Sequence, residues 1–140
     1  MDTRTPEQRS RIMRSVGSRH TAPEMIVRKL IHGLGFRFRL HQKRLPGSPD
    51  LVLARHGAVI FVNGCFWHGH DCSKGRLPKT RLDFWVPKIR RNQARDTDAT
   101  KALEADGWRV LTIWQCETKD SQLLRRRLKK FFGRKQRGRL

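Results

Sequence analysis

Apolar and polar positions along this chain recur with a period that changes from segment to segment, and each change marks an element. Met25, Ile26, Leu30, Ile31 and Leu34 stand at helical spacing behind Thr21, a hydroxyl placed as an N-cap with Glu24 three residues on, and Gly35 closes the run. This spacing predicts a helix. Phe36, Phe38 and Leu40 then alternate with Arg37, Arg39 and His41, the period of two that a half-exposed strand requires. The prolines and glycine of LPGSPD form a turn that feeds Asp50 into the apolar run Leu51 to Leu53. After the turn ARHG comes a second run, Ala58 to Val62, and the two runs read as a hairpin. A loop rich in Cys, His and Gly extends from Gly64 to about Thr80. Phe84 through Ala105 carries Trp85, Ile89 and Leu103 among Lys, Arg and Asp, which fits one or two helices ended by Gly107. Trp108 to Trp114 is rich in strand formers, and Ser121 to Phe132 reads as a basic amphipathic helix. The order α, β, β, β, α, β, α predicts a three-layer α/β domain with a mixed central sheet over residues 20–132. A basic arm precedes it at 1–19, where Ile12, Met13 and Val16 line one helical face and order on binding, and the basic tail GRKQRGRL follows at 133–140.

Composition narrows the class of partner. At 140 residues, 36% of them apolar, with four Trp and seven Phe, the chain can bury one real core. Its formal charge of +20, from 32 Lys and Arg against 12 acids, exceeds what solubility requires and suits a partner dense in negative charge, nucleic acid first. No apolar run approaches the roughly 18 residues of a spanning helix, and the opening MDTRTPEQRS lacks the apolar region of a signal peptide. A cytoplasmic protein with no membrane partner is expected. Three cysteines are an odd number, and in a reducing compartment they point to a metal or a buried thiol, not to a disulfide framework.

The densest chemistry lies in CFWHGHDC, Cys65 to Cys72. Two thiols and two imidazoles within eight residues offer the donors zinc takes in a tetrahedral site, and Cys116 at the end of TIWQC offers a distant third sulfur. Four ligands leave either His68 or His70 spare for proton transfer. A second constellation is Asp50 at the start of a strand, where one hard oxygen can meet Mg²⁺ at a sheet edge. Glu24 could join it, but its spacing from Thr21 favours the reciprocal half of a capping box. His20, His32, His41 and His56 stand in basic or turn surroundings and are expected to be solvated. Trp108 and Trp114 are expected in the core; Phe66, Trp67 and Trp85 fall near the polar loop, where aromatics amid cations can wedge between bases, although core packing is the commoner use of any one of them.

The stretches RSRIMRSVGSRHTAPE, LPGSPDLV, VIFVNGCFWHGHDC, PKTRLDFWVPKIRRNQARD and GWRVLTIWQC, in this order from about Arg9 to Leu128, resemble the Vsr very short patch repair mismatch endonucleases. The resemblance implies a restriction-endonuclease-like fold of the PD-(D/E)XK type, and hydrolysis of duplex DNA 5′ to the thymine of a T:G mismatch. It implies Asp50 as Mg²⁺ ligand with the Val62 backbone carbonyl, His68 as the base that activates water, and Glu24 as an acidic support. It implies a structural zinc on Cys65, His70, Cys72 and Cys116, a DNA wedge of Phe66, Trp67 and Trp85, and an N-terminal arm that closes over the minor groove. Mismatch-repair proteins and a cytosine methyltransferase enter as partners, with the chain itself a monomer acting at the bacterial nucleoid. Two positions depart from the family pattern: Val62 and Asn63 stand where a Thr and a His are usual. A backbone carbonyl survives any substitution, whereas Asn63 cannot carry a proton as His does. The competing readings are a catalytically silent zinc domain that binds DNA, a nickase with another lesion or a restriction-linked target, and a basic RNA-binding protein, which would explain the charge but not the metal constellation.

Overall fold

The computed structural model of the chain describes residues 21–133; the basic arm with its helical face, His20 and the tail beyond Gly133 lie outside them. The described residues form helix α1 (Ala22–Gly33), strands β1 (Arg39–Leu40), β2 (Leu51–Leu53) and β3 (Ala58–Asn63), helix α2 (Leu82–Ala105), strand β4 (Arg109–Trp114) and helix α3 (Ser121–Gly133), with short 3-10 turns between some of them. This is the expected order.

Helix α1 starts where Thr21, in extended backbone, accepts the Glu24 N–H on its Oγ1 at 3.3 Å, with Pro23 in the first turn. Its buried stripe is Glu24, Val27 and Ile31, three and seven residues on from the first, while Met25 and Ile26 are exposed. The expected apolar face was therefore rotated: Val27 takes the inward place, and a carboxylate shares it. Strand β1 is also shorter than the alternation from Phe36 suggests. Among the described residues it pairs only with β2, through Arg39↔Val52 and Leu40↔Leu51, and β2 is three residues long before the chain turns at Ala54–His56 and the left-handed Gly57. Phe36 and Phe38 nevertheless pack on the core as their spacing requires.

The sheet order is β1-β2-β3-β4, antiparallel except for β3 and β4, which run parallel from Ala58↔Arg109 to Asn63↔Trp114. A parallel pair needs a crossover, and α2 supplies it as one continuous helix. The strand period of two divides the core into two faces. Leu51, Leu53, Ala58, Ile60, Leu111 and Ile113 face α1 and α3 through Val27, Ile31, Leu124 and Leu128. Val52 and Val59 face the opposite way, toward Leu45 and Leu103 of α2, with Phe61, Trp108 and Val110 packed against them. Three layers result, α on mixed β on α. His56, expected to be solvated, is half-buried and lies edge-on to Phe36 at 4.9 Å, next to the Phe132 ring that stacks on Phe36. No helix among the described residues is long and apolar enough to cross a membrane.

Candidate active site and metal centre

Two clusters gather at one end of the sheet, where β1 and β3 finish and β2 begins. The first joins Glu24 of α1, His41 just past β1 and Asp50 just before β2, whose potential ligand atoms all lie within 4.8 Å of one another. Glu24 is 2% exposed, and its carboxylate accepts from Arg28 one helical turn on and meets His41 Nε2 at 2.9 and 3.1 Å. Thr21 thus caps the helix as expected, but the Glu24 side chain turns to the sheet, not back to the cap. His41, expected to be solvated, is instead 11% exposed and paired. Its backbone makes this possible: with φ at 45°, an unusual conformation for a residue with a Cβ, its N–H donates to the Asp50 carbonyl at 3.1 Å.

The Asp50 carboxylate accepts the Val62 N–H at 2.7 Å. Burial pushes its carboxyl up to about 7; the Val62 N–H opposes the rise, the Glu24 carboxylate adds to it, and His41 draws it back. Two acids crowded into a poorly hydrated corner are a donor set that a hard divalent cation fits, since its charge relieves both. Val62 contributes through its main chain, so the loss of a Thr side chain here leaves that bond intact. Asn63 is 8% exposed and lines the same cleft.

That cleft, about 350 Å³, is lined by Glu24, Asp50, Val62, His68 and Asp96 among others. His68 Nδ1 is 2.5 Å from Asp96 Oδ2. A carboxylate on Nδ1 fixes the tautomer and leaves Nε2 as the basic nitrogen. Asp96 belongs to a set on α2 that holds the loop: Asn92 donates to the Trp67 carbonyl at 2.7 Å and Gln93 to the Gly69 carbonyl at 3.3 Å. Gly69 is required there. Its φ is +61°, and a Cβ would stand 2.6 Å from Ile89 Cγ2 and 2.5 Å from Gln93 Nε2. The sequence offered no signal for Asp96, which is one of many charged residues along α2.

The second cluster is Cys65, His70, Cys72 and Cys116, again with ligand atoms within 4.8 Å of one another. His70 Nδ1 lies 3.5 Å from Cys116 Sγ, and the Cys116 N–H donates to Cys65 Sγ at 3.3 Å. Burial pushes the Cys65 thiol up to about 11; the Cys116 N–H opposes the rise, and the Cys72 and Cys116 sulfurs add to it. Three sulfurs and one imidazole this close fit tetrahedral Zn²⁺, whose bonds of about 2.3 Å to sulfur place ligands about 3.8 Å apart. The geometry also separates the two histidines that spacing left interchangeable, His70 with the sulfurs and His68 in the cleft. Trp114 is not a core residue as expected: it is half-buried and stacks on His70 at 4.2 Å.

Beside the cleft, Phe66, Trp67 and Trp85 make a mutually edge-on group with centroids 5.0 to 5.9 Å apart, half-buried and outside both core clusters. Phe84 extends it, 42% exposed, with Arg81 and Lys88 over its ring. Phe84, at the start of a long polar helix, carries no sequence signal that separates it from a core ring.

The family model for the DNA mismatch endonuclease Vsr matches residues 1–74. Over 128 residues the chain is 53% identical to the type II nicking enzyme V.XorIIP of Xanthomonas oryzae pv. oryzae, covering 91% of this chain and 94% of the relative. It is 40% identical over 123 residues to the DNA mismatch endonuclease Vsr of Escherichia coli K12, covering 88% and 79%. The chain belongs to the Vsr family. As a Vsr chain it is a DNA endonuclease. A 43% identity over 127 residues to the type II nicking enzyme V.NmeAIP of Neisseria meningitidis agrees, with 91% of both chains covered.

Proposed function

We propose that this Vsr chain nicks one strand of duplex DNA 5′ to the thymine of a T:G mismatch, using Mg²⁺ in the cleft and a structural zinc beside it. The observation that carries the reading is the single cleft shared by the Glu24 and Asp50 carboxylates and the Asp96-bound His68. Asp50 and the Val62 carbonyl would hold Mg²⁺, which supplies neutralisation of the charge that builds on the phosphate. His68, with Nδ1 committed to Asp96, presents Nε2 to take a proton from the attacking water, and the Asp96 carboxylate stabilises the imidazolium that results. Glu24 supports the metal-holding carboxylate from the helix side. Cys65, His70, Cys72 and Cys116 would fix the loop that carries His68, and Phe66, Trp67 and Trp85 would enter the base stack. In this reading the domain, residues 20–132, adopts the restriction-endonuclease-like fold and acts as a cytoplasmic monomer, with the arm at 1–19 reaching the minor groove and mismatch-repair proteins and a cytosine methyltransferase as its partners. The nicking-enzyme names of the Xanthomonas and Neisseria relatives favour single-strand cleavage and also suit a restriction-linked target.

The test is a duplex labelled on each strand, with one T:G pair or its T:A control, incubated with protein and Mg²⁺. Cutting of the T strand alone, at the mismatch alone, is expected, and Asp50→Ala should abolish it while leaving DNA affinity equal or higher, because the carboxylate repels phosphate until a cation bridges them. Tight DNA binding without cleavage by the wild type would instead support a silent DNA-binding module.

A further inference from the structure

We propose that His41 is a direct nitrogen ligand to the catalytic divalent cation, making the centre a mixed imidazole and carboxylate site that holds Mn²⁺ more tightly than Mg²⁺. The inference deepens the reading of Asp50 as the metal-holding carboxylate and rests on it.

Distances carry the argument first. Octahedral bonds of about 2.1 Å set neighbouring ligands about 3.0 Å apart. His41 Nε2 stands 2.9 and 3.1 Å from the two Glu24 oxygens, so a nitrogen and an oxygen already lie one octahedral edge apart. The nearest Asp50 oxygen completes a triad whose members are all within 4.8 Å, a spacing that sub-ångström side-chain shifts bring within reach of one ion. Backbone geometry is the second observation. The left-handed turn at His41 is tied by its own N–H to the Asp50 carbonyl, so one local constraint positions the ring and the metal-holding residue together. Burial is the third: the ring is 11% exposed and Glu24 2%, and Arg28 already pairs with the Glu24 carboxylate. An imidazole placed merely to neutralise Glu24 would duplicate Arg28. The chemical consequence is selectivity, because Mg²⁺ prefers oxygen ligands whereas imidazole is a donor that transition metals accept.

The test uses the full chain with zinc bound and Mn²⁺ as the probe. Free Mn²⁺ is titrated by electron paramagnetic resonance, and electron spin-echo modulation reads nitrogen coupling at the bound ion. Coupling that changes on ¹⁵N-histidine labelling is expected, retained in His68→Ala and lost in His41→Gln. His41→Gln should also weaken Mn²⁺ by about tenfold while changing Mg²⁺ competition less. Mn²⁺ that binds in an Asp50-dependent way with no histidine coupling would overturn the inference and leave Asp50 in its role. So would coupling that survives His41→Gln and disappears in His68→Ala. Binding unchanged in Asp50→Asn would overturn both readings. If His41→Gln fails to fold by circular dichroism, the labelled wild type and His68→Ala still decide, because absence of coupling in either refutes the ligand.

Discussion

Asp50 and Glu24 compete for negative charge in one small volume, and the competition has a measurable sign. Asp50 rises from its ordinary 3.8 to about 7, chiefly by burial. Between those values the folded chain holds a proton that the unfolded chain has released, so stability falls as pH rises through that window. Asn at this position cannot titrate and mimics the protonated acid. Without divalent metal, Asp50→Asn should therefore melt above wild type at pH 8, with the gap narrowing as pH falls from about 7 toward 4. Mg²⁺ should raise the wild-type melting temperature and leave the variant alone. A gap independent of pH would mean that Asp50 is not the perturbed group. The same residues show what single positions disclose before folding. Asp50, His68, Glu24 and the four sulfur and nitrogen donors are marked by the family motifs, whereas from spacing alone Glu24 reads as a cap and His41 as a surface residue. The available clue was the stripe Glu24, Val27, Ile31, on which a carboxylate occupies an apolar position. His41 offered none, since its place depends on a left-handed turn that a side-chain pattern does not encode.

At the scale of elements, the loop from Gly64 to Thr80 is long for a connection and has little regular structure, so its order depends on attachments at both ends. On one side α2 holds it through Asn92, Gln93 and Asp96. On the other, the parallel register Asn63↔Trp114 brings Cys65 and Cys116 together, each two residues beyond the paired positions. A zinc bound there would join the ends of β3 and β4 to the loop that carries His68. Purified protein should contain one zinc per chain by elemental analysis, and chelation or Cys116→Ser should lower the melting temperature by roughly 10 °C or more, with activity lost in step. Metal-free protein that melted at the wild-type temperature would contradict the assignment. Element order was legible because hydrophobic period and turn residues are local signals, and it correctly gave a mixed sheet between helices. Extents were less so: β1 is limited by the length of its partner β2, and the α1 face is set by what the sheet offers it. Those are tertiary facts.

On the proposed function, the whole molecule would divide DNA binding from mismatch discrimination. With 32 Lys and Arg against 12 acids, affinity for any duplex should be high and fall steeply with salt, because each neutralised phosphate releases counterions. Phosphate contacts are blind to the pair beneath them, so the proposed mismatch preference would have to come from elsewhere. The aromatic group beside the cleft is suited to it. Phe66, Trp67 and Trp85 support one another edge-on outside the core, and Lys88 lies 5.3 Å from the Trp67 ring centre, where it can meet a phosphate while the ring meets a base. A T:G wobble is less well stacked than a Watson–Crick pair, which reduces the few kcal/mol that opening a step costs and turns deformability into selectivity. Trp67→Ala and Trp85→Ala should therefore reduce the ratio of T:G to T:A cleavage more than they reduce non-specific affinity, in protein checked for folding and zinc content. Phe84→Ala, which removes an exposed ring flanked by Arg81 and Lys88, should shift affinity more than the ratio. If the tryptophan variants remain folded and keep the wild-type ratio, the rings serve only to pack the loop on α2, and discrimination resides in residues outside 21–133 or in the cleft itself.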